Sequence, residues 1–168
     1  MRHFTYVLTL AVMLCSCGFH LRGQFATPSH LQPLYVDGAA GSVLVATLEQ
    51  QLRTTDLQLV DNRSEARYIL RLSDENQQRR TMSVGNGNRA AEYQLIESVI
   101  FEVLTAGGEP LNEAVTISER RVLSYNADNE LSSRSEEQLI RREMKQNLAS
   151  KILRQLSAIK PATNETAP

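Results

Sequence analysis

The residues that could do chemistry fall into two small groups. One is Cys17, a thiol preceded by small Ser16 and, three places back, bulky Leu14. A thiol in that setting can be alkylated, and small neighbours admit a peptidase. The other is a set of arginines. Arg79, Arg80 and Arg89 bracket one Gly/Asn turn, Arg120 and Arg121 stand on a neighbouring strand-like run, and Arg134, Arg141 and Arg142 on a late helical stretch. Arginine suits bidentate contact with phosphate or carboxylate. The same pattern also describes a solvated charged face.

Catalytic chemistry finds little support. His3 sits in the N-terminal leader. His20 and His30 fall in a Pro-containing stretch away from any plausible nucleophile. Glu136-Glu137 are adjacent carboxylates, but neighbours on a helix diverge, and acids in a first turn suit the helix dipole. Gly85-Asn86-Gly87 reads as a turn rather than a phosphate cradle. No zinc-type spacing is present, so no metal or other cofactor is expected. The formal net charge is −1, which gives no reason to expect nucleic acid as a partner.

The chain has 168 residues, 42% hydrophobic and 22% charged, the usage of an ordinary globular domain. Arg2 and His3 precede an apolar run from Phe4 to Leu14, broken only by Thr5 and Thr9. That run is shorter than the about 20 residues needed to span a bilayer and reads as a signal peptide. Leu14-Cys15-Ser16-Cys17 resembles the lipobox of bacterial lipoproteins. Residues 1–16 are therefore expected to be removed and Cys17 to carry the lipid. Three acyl chains would anchor the protein stably to a membrane surface. Gly18, rather than Asp, follows Cys17; lipoproteins of Gram-negative bacteria with that feature go to the outer membrane.

Residues 17–33 read as a lipidated N-terminus and extended tether, residues 34–160 as one domain, and residues 161–168 as a disordered tail. Within the domain, Leu34-Tyr35-Val36 predicts a strand. Ser42 predicts the cap of a helix carrying Leu44, Val45, Leu48 and Leu52 and ending near Thr54. Three strand-like runs follow, near 66–83, 91–105 and 114–125. In the second, Tyr93, Leu95, Val99, Phe101 and Val103 share a parity that Glu97 interrupts. Apolar at one end and charged at the other, these runs predict a hairpin whose tip leaves the core. Ser133-Arg134-Ser135-Glu136 fits a capping box. A long helix follows, its stripe running through Ile140, Met144, Leu148, Ile152, Leu156 and Ile159, widened by Leu139, Ala149 and Leu153. The order β-α-β-β-β-α predicts an α+β two-layer sandwich, with two helices on one face of a four-stranded mixed sheet.

Two stretches resemble a known family. Cys17-Gly18-Phe19-His20-Leu21-Arg22-Gly23 is similar to the mature start of the LPS-assembly lipoprotein LptE family, and Ala91-Glu92-Tyr93-Gln94-Leu95 to its second hairpin strand. The resemblance implies two helices on a four-stranded mixed sheet, agreeing with the pattern above. It also implies a plug inside an LptD-type outer-membrane β-barrel that assists insertion of lipopolysaccharide into the outer leaflet. Under that reading Arg79, Arg80, Arg89 and Arg134 become candidates for binding lipopolysaccharide phosphates. A free-standing lipid carrier, which would need a deep apolar pocket, and a small hydrolase, which would need a convergent triad, are the other classes considered.

Overall fold

The computed structural model describes residues 29–84, 90–125 and 129–160. Its elements are β1 (Leu34–Asp37), α1 (Val43–Arg53), a 3-10 turn at Arg63–Glu65, β2 (Tyr68–Val84), β3 (Ala90–Thr105), β4 (Val115–Ser124) and α2 (Glu130–Ala158). The sheet order is β1-β2-β3-β4. β1 and β2 are parallel, and the remaining pairs are antiparallel. The sheet is mixed, as the element order requires, because α1 carries the chain back between the two parallel strands.

Ser42 caps α1: its Oγ accepts a hydrogen bond from the Val45 amide at 3.1 Å, satisfying a donor that the first turn leaves orphaned. Leu44, Leu48 and Leu52 are buried along one face of this helix. They meet Val36, Leu70, Leu72, Val99, Phe101 and Val103 of the sheet and Leu148, Ile152 and Leu156 of α2 in one core cluster. Gly38 lets the turn after β1 lie close to α1; a Cβ there would stand 2.6 Å from Val45 Cγ2.

Three expectations are corrected. First, α2 begins at Glu130, not beside Ser133: the cap is Asn129, whose side chain accepts from the Ser132 amide, and Ser133 is buried inside the helix. Both Asn129 and Ser133 are good caps by type. The upstream one prevails and lengthens α2 to 29 residues, about 44 Å. Second, Leu139 does not widen the apolar stripe; it is 50% exposed. It stands nine residues before Leu148, and at about 100° per residue that is half a turn away from the core face. Third, the end of the expected tether already belongs to the domain. Leu31 is fully buried in the core, the Pro33 carbonyl accepts from the Arg67 and Tyr68 amides, and His30 Nε2 donates to the Ile159 carbonyl at 2.7 Å. The tail at 161–168 and the turn at 85–89 lie outside the described residues.

β2 and β3 form a long hairpin. Its β2 arm has 17 residues, a length on the order of 50 Å. Midway, the register slips between Ser73 and Asn76, where three steps along β2 match two along β3. Asp74 lies there at φ 50°, a left-handed conformation that Asp tolerates better than most residues. This is a β-bulge, and it reverses which residues face the helices. Leu72 stands opposite buried Phe101 before the bulge; Gln77 and Arg79 stand opposite buried Glu97 and Leu95 after it.

Candidate functional site

Towards the hairpin end, the layer between α2 and the sheet becomes mixed: a small apolar cluster of Leu95, Leu123 and Met144, with Ile140 against it, is flanked by ion pairs. Glu97 keeps the inward parity of its neighbours on β3 and is 4% exposed. An isolated carboxylate so placed would be costly. Arg141, one turn before Met144 on α2, reaches down and donates Nη1 to Glu97 Oε1 at 2.7 Å. Its Nη2 and Nε donate to Glu137 Oε1 at 2.7 and 2.9 Å, and Glu137 Oε2 accepts from Arg79 at 3.2 Å. Four alternating charges therefore clasp the first half of α2 to the sheet. Glu119 of β4 stands directly opposite Glu97, an arrangement that would repel if left bare. It is instead paired with Lys151 at 2.5 Å and with Arg121 at 3.6 Å. Lys151 also donates to the Ser118 carbonyl.

Beyond the clasp lies an aromatic and cationic pole. The Arg79 guanidinium sits 4.5 Å from the centroid of the Tyr93 ring, within cation–π range. Tyr93 meets Tyr125 edge to face, with centroids 5.3 Å apart. Arg134 pairs with Glu130 one turn back at 2.6 Å. The Glu130 hydrogen bond and charge hold its guanidinium even more firmly protonated than usual, with a smaller contribution from Tyr125.

The structure thus brings Arg79 and Arg134 to the same end of the molecule, around the tyrosine pair, each with a carboxylate partner already. Arg80 is opposite Gln94 and faces the other side of the sheet. Arg89 lies outside the described residues. Glu136 and Glu137 diverge as expected: Glu137 binds two arginines, and Glu136 is exposed. Sequence reasoning missed the Glu97–Arg141 pair and the tyrosine pair. Glu97 itself was visible as the polar break in an apolar parity. Its partner was not, because 44 residues separate the two.

Among the described residues, no cluster of His, Cys, Asp and Glu could hold a metal ion. The arrangement offers hydrogen-bond donors, cations and aromatic faces, the equipment of a binding surface. A family model described as LptE, lipopolysaccharide-assembly, matches residues 31–156.

The chain belongs to the LptE family.

The LptE match takes in all six strands and helices, together with Leu31, save the last two residues of α2. The LPS-assembly lipoprotein LptE of Pectobacterium atrosepticum is 33% identical over 164 residues, covering 95% of this chain and 88% of that protein. The protein of the same name from Photorhabdus laumondii is 31% identical over 173 residues, with coverages of 99% and 93%. A similar fold is also seen in solved structures. Lipoprotein B from Nitrosomonas europaea superposes with a TM-score of 0.68 at 27% identity, covering 86% of this chain and 94% of that one. Rare lipoprotein B from Shewanella oneidensis gives 0.65 at 26% identity, covering 74% and 93%.

Proposed function

We propose that this chain is an outer-membrane lipoprotein, anchored through Cys17, that plugs an LptD-type β-barrel and assists insertion of lipopolysaccharide into the outer leaflet. The observation that carries this reading is membership of the LptE family along nearly the whole domain. Relatives in that family bear the name of an assembly lipoprotein, not of an enzyme. The physical character of the surface supports it. Barrel lumens are polar, and the long hairpin leaves its apolar half in the core and extends a charged half outward. No helix among the described residues is long and apolar enough to cross a membrane. The space between helices and sheet is filled by packed side chains from Leu31 to Leu156, which favours a plug over a carrier with a deep acyl pocket.

The test uses the intact chain, expressed in a Gram-negative host with labelled fatty acid and extracted in detergent. The wild-type protein should be labelled and bring a large β-barrel with it. Cys17→Ala should abolish the label and leave uncleaved precursor. A labelled chain that emerges without a barrel would overturn the plug, and normal labelling of the variant would overturn lipidation at Cys17.

Within this reading Arg79, Arg80, Arg89 and Arg134 meet lipopolysaccharide phosphates at the hairpin end. Each Arg–phosphate contact contributes about 1.5–3 kcal/mol, less where water reaches it. Arg79→Glu with Arg89→Glu should weaken lipopolysaccharide binding about tenfold or more and flatten its salt dependence; loss of the Arg79–Glu137 pair lowers stability, so binding is measured at a temperature where circular dichroism shows the variant folded. Wild-type affinity and salt dependence together would reduce the patch to a solvated surface.

A further inference from the structure

The two faces of the sheet differ in how their cations are used. On the helix-covered face every arginine and lysine described above has a carboxylate partner. On the open face the pattern changes along the strands. Near β1, Arg71 pairs with Asp37 and Glu102, and Arg63 pairs with Asp37. Past the bulge, Arg80 and Arg120 have no acidic partner among the described residues and both are exposed. Glu92, on the same face of β3, accepts from the Ser83 hydroxyl at 2.9 Å.

The register fixes how these cations are arranged. Arg80 on β2 is opposite Gln94 on β3, which is opposite Val122 on β4. One row along, Gln78 is opposite Ile96, which is opposite Arg120. The two arginines therefore stand on either side of β3, offset by two residues, with Cα atoms about 12 Å apart by strand spacing and rise. Between them lies an apolar strip of Ile96 and Val122, the latter 55% exposed. The bulge at Ser73–Asn76 creates this layout. Without it, Arg80 would point toward α2.

We infer that this open face, with Arg80 and Arg120 as its two cations and Ile96 and Val122 between them, binds the phosphorylated head group of lipopolysaccharide. The inference rests on the assembly reading above and adds a surface and a residue, Arg120, to it. Two separated cations across an apolar strip match an amphipathic ligand with anionic groups at its ends. A small inorganic anion would instead draw both guanidinium forks to one point. An acidic barrel wall could meet the same cations, so the test separates the two.

The full-length detergent-solubilised chain is titrated with purified lipopolysaccharide and with the same material after phosphatase treatment, and co-purification with the barrel is scored in parallel. The wild-type chain should prefer the phosphorylated form. R80E/R120E should bind it at least tenfold more weakly and lose that preference, while still bringing the barrel. R53E/K160E, which changes charge equally at the opposite end, should bind as wild type. Gln78→Lys adds a cation to the Ile96 row and should tighten binding several-fold, a gain that misfolding cannot imitate. Unchanged lipopolysaccharide affinity in R80E/R120E overturns the inference, and if the barrel is lost in that case, the face is a protein interface. A wild-type chain that shows no lipopolysaccharide binding overturns the assembly reading itself.

Discussion

Leu148→Asp should leave most of the chain unfolded at ordinary temperature. Leu148 is 1% exposed and packs in the cluster joining both helices to the sheet. The substitution removes an apolar side chain and places a carboxylate in the apolar cluster, while the neighbouring Lys151 is already taken by Glu119. Truncation alone, as in Leu148→Ala, costs about 2–5 kcal/mol at such sites. Burying an unpaired charge adds several kcal/mol more even after relaxation. Domains of this size hold only about 5–15 kcal/mol in total, so the sum consumes most or all of it. Leu139→Asp is the matched control on the same helix. Its side chain is half exposed, and its melting temperature should stay near wild type. Equal melting temperatures for Leu148→Asp and wild type would show that this face of α2 is not packed.

Arg141→Met should be the most damaging change in the polar part of the interface. It removes the partner of Glu97, which keeps only 6% of its side chain exposed, and one of the two partners of Glu137. Breaking a buried pair from one side costs about 3–5 kcal/mol, because the remaining charge is left without compensation. Replacing both members by apolar residues is a different case and is often neutral. The double variant Arg141→Met with Glu97→Leu should therefore recover most of the loss, with Glu137 still held by Arg79. Denaturant midpoints of the wild type, both single variants and the double variant close the cycle. Additive losses in the double variant would mean that the two side chains act independently and that no clasp exists.

The clasp explains why the long helix reads so clearly in one half and so poorly in the other. From Met144 to Leu156 the apolar spacing is regular, and those residues are buried as expected. From Glu130 to Arg141 the inward positions are Ser133, Glu137, Ile140 and Arg141, and only Ile140, packed on Leu95, Leu123 and Met144, is apolar. A pattern keyed to apolar residues finds Ile140, passes over the three polar ones and also selects Leu139, which faces out. Arg141 and Glu137 can lie inward because Glu97 and Arg79 meet them from the sheet.

Several features follow from the sequence by itself, because they depend on neighbours within a few positions. The Ser42 cap, the Leu44–Leu48–Leu52 stripe, the parity of β3 and the order β-α-β-β-β-α are all local patterns of period 2 or about 3.6, and the structure shows each of them. Whether Arg79 or Arg80 faces the helices is not local. Counting by twos from Leu70 and Leu72 puts Arg80 inward. The bulge at Ser73–Asn76 reverses this, and a bulge exists only as a mismatch with a partner strand. The polar run Ser73-Asp74-Glu75-Asn76 hints at irregularity, but only β3 decides the count. The pairing of Glu97 with Arg141 and the spacing of Arg80 and Arg120 across β3 were likewise left to the tertiary structure. Each joins side chains 40 or more residues apart, on elements that pack or pair only once the chain has folded.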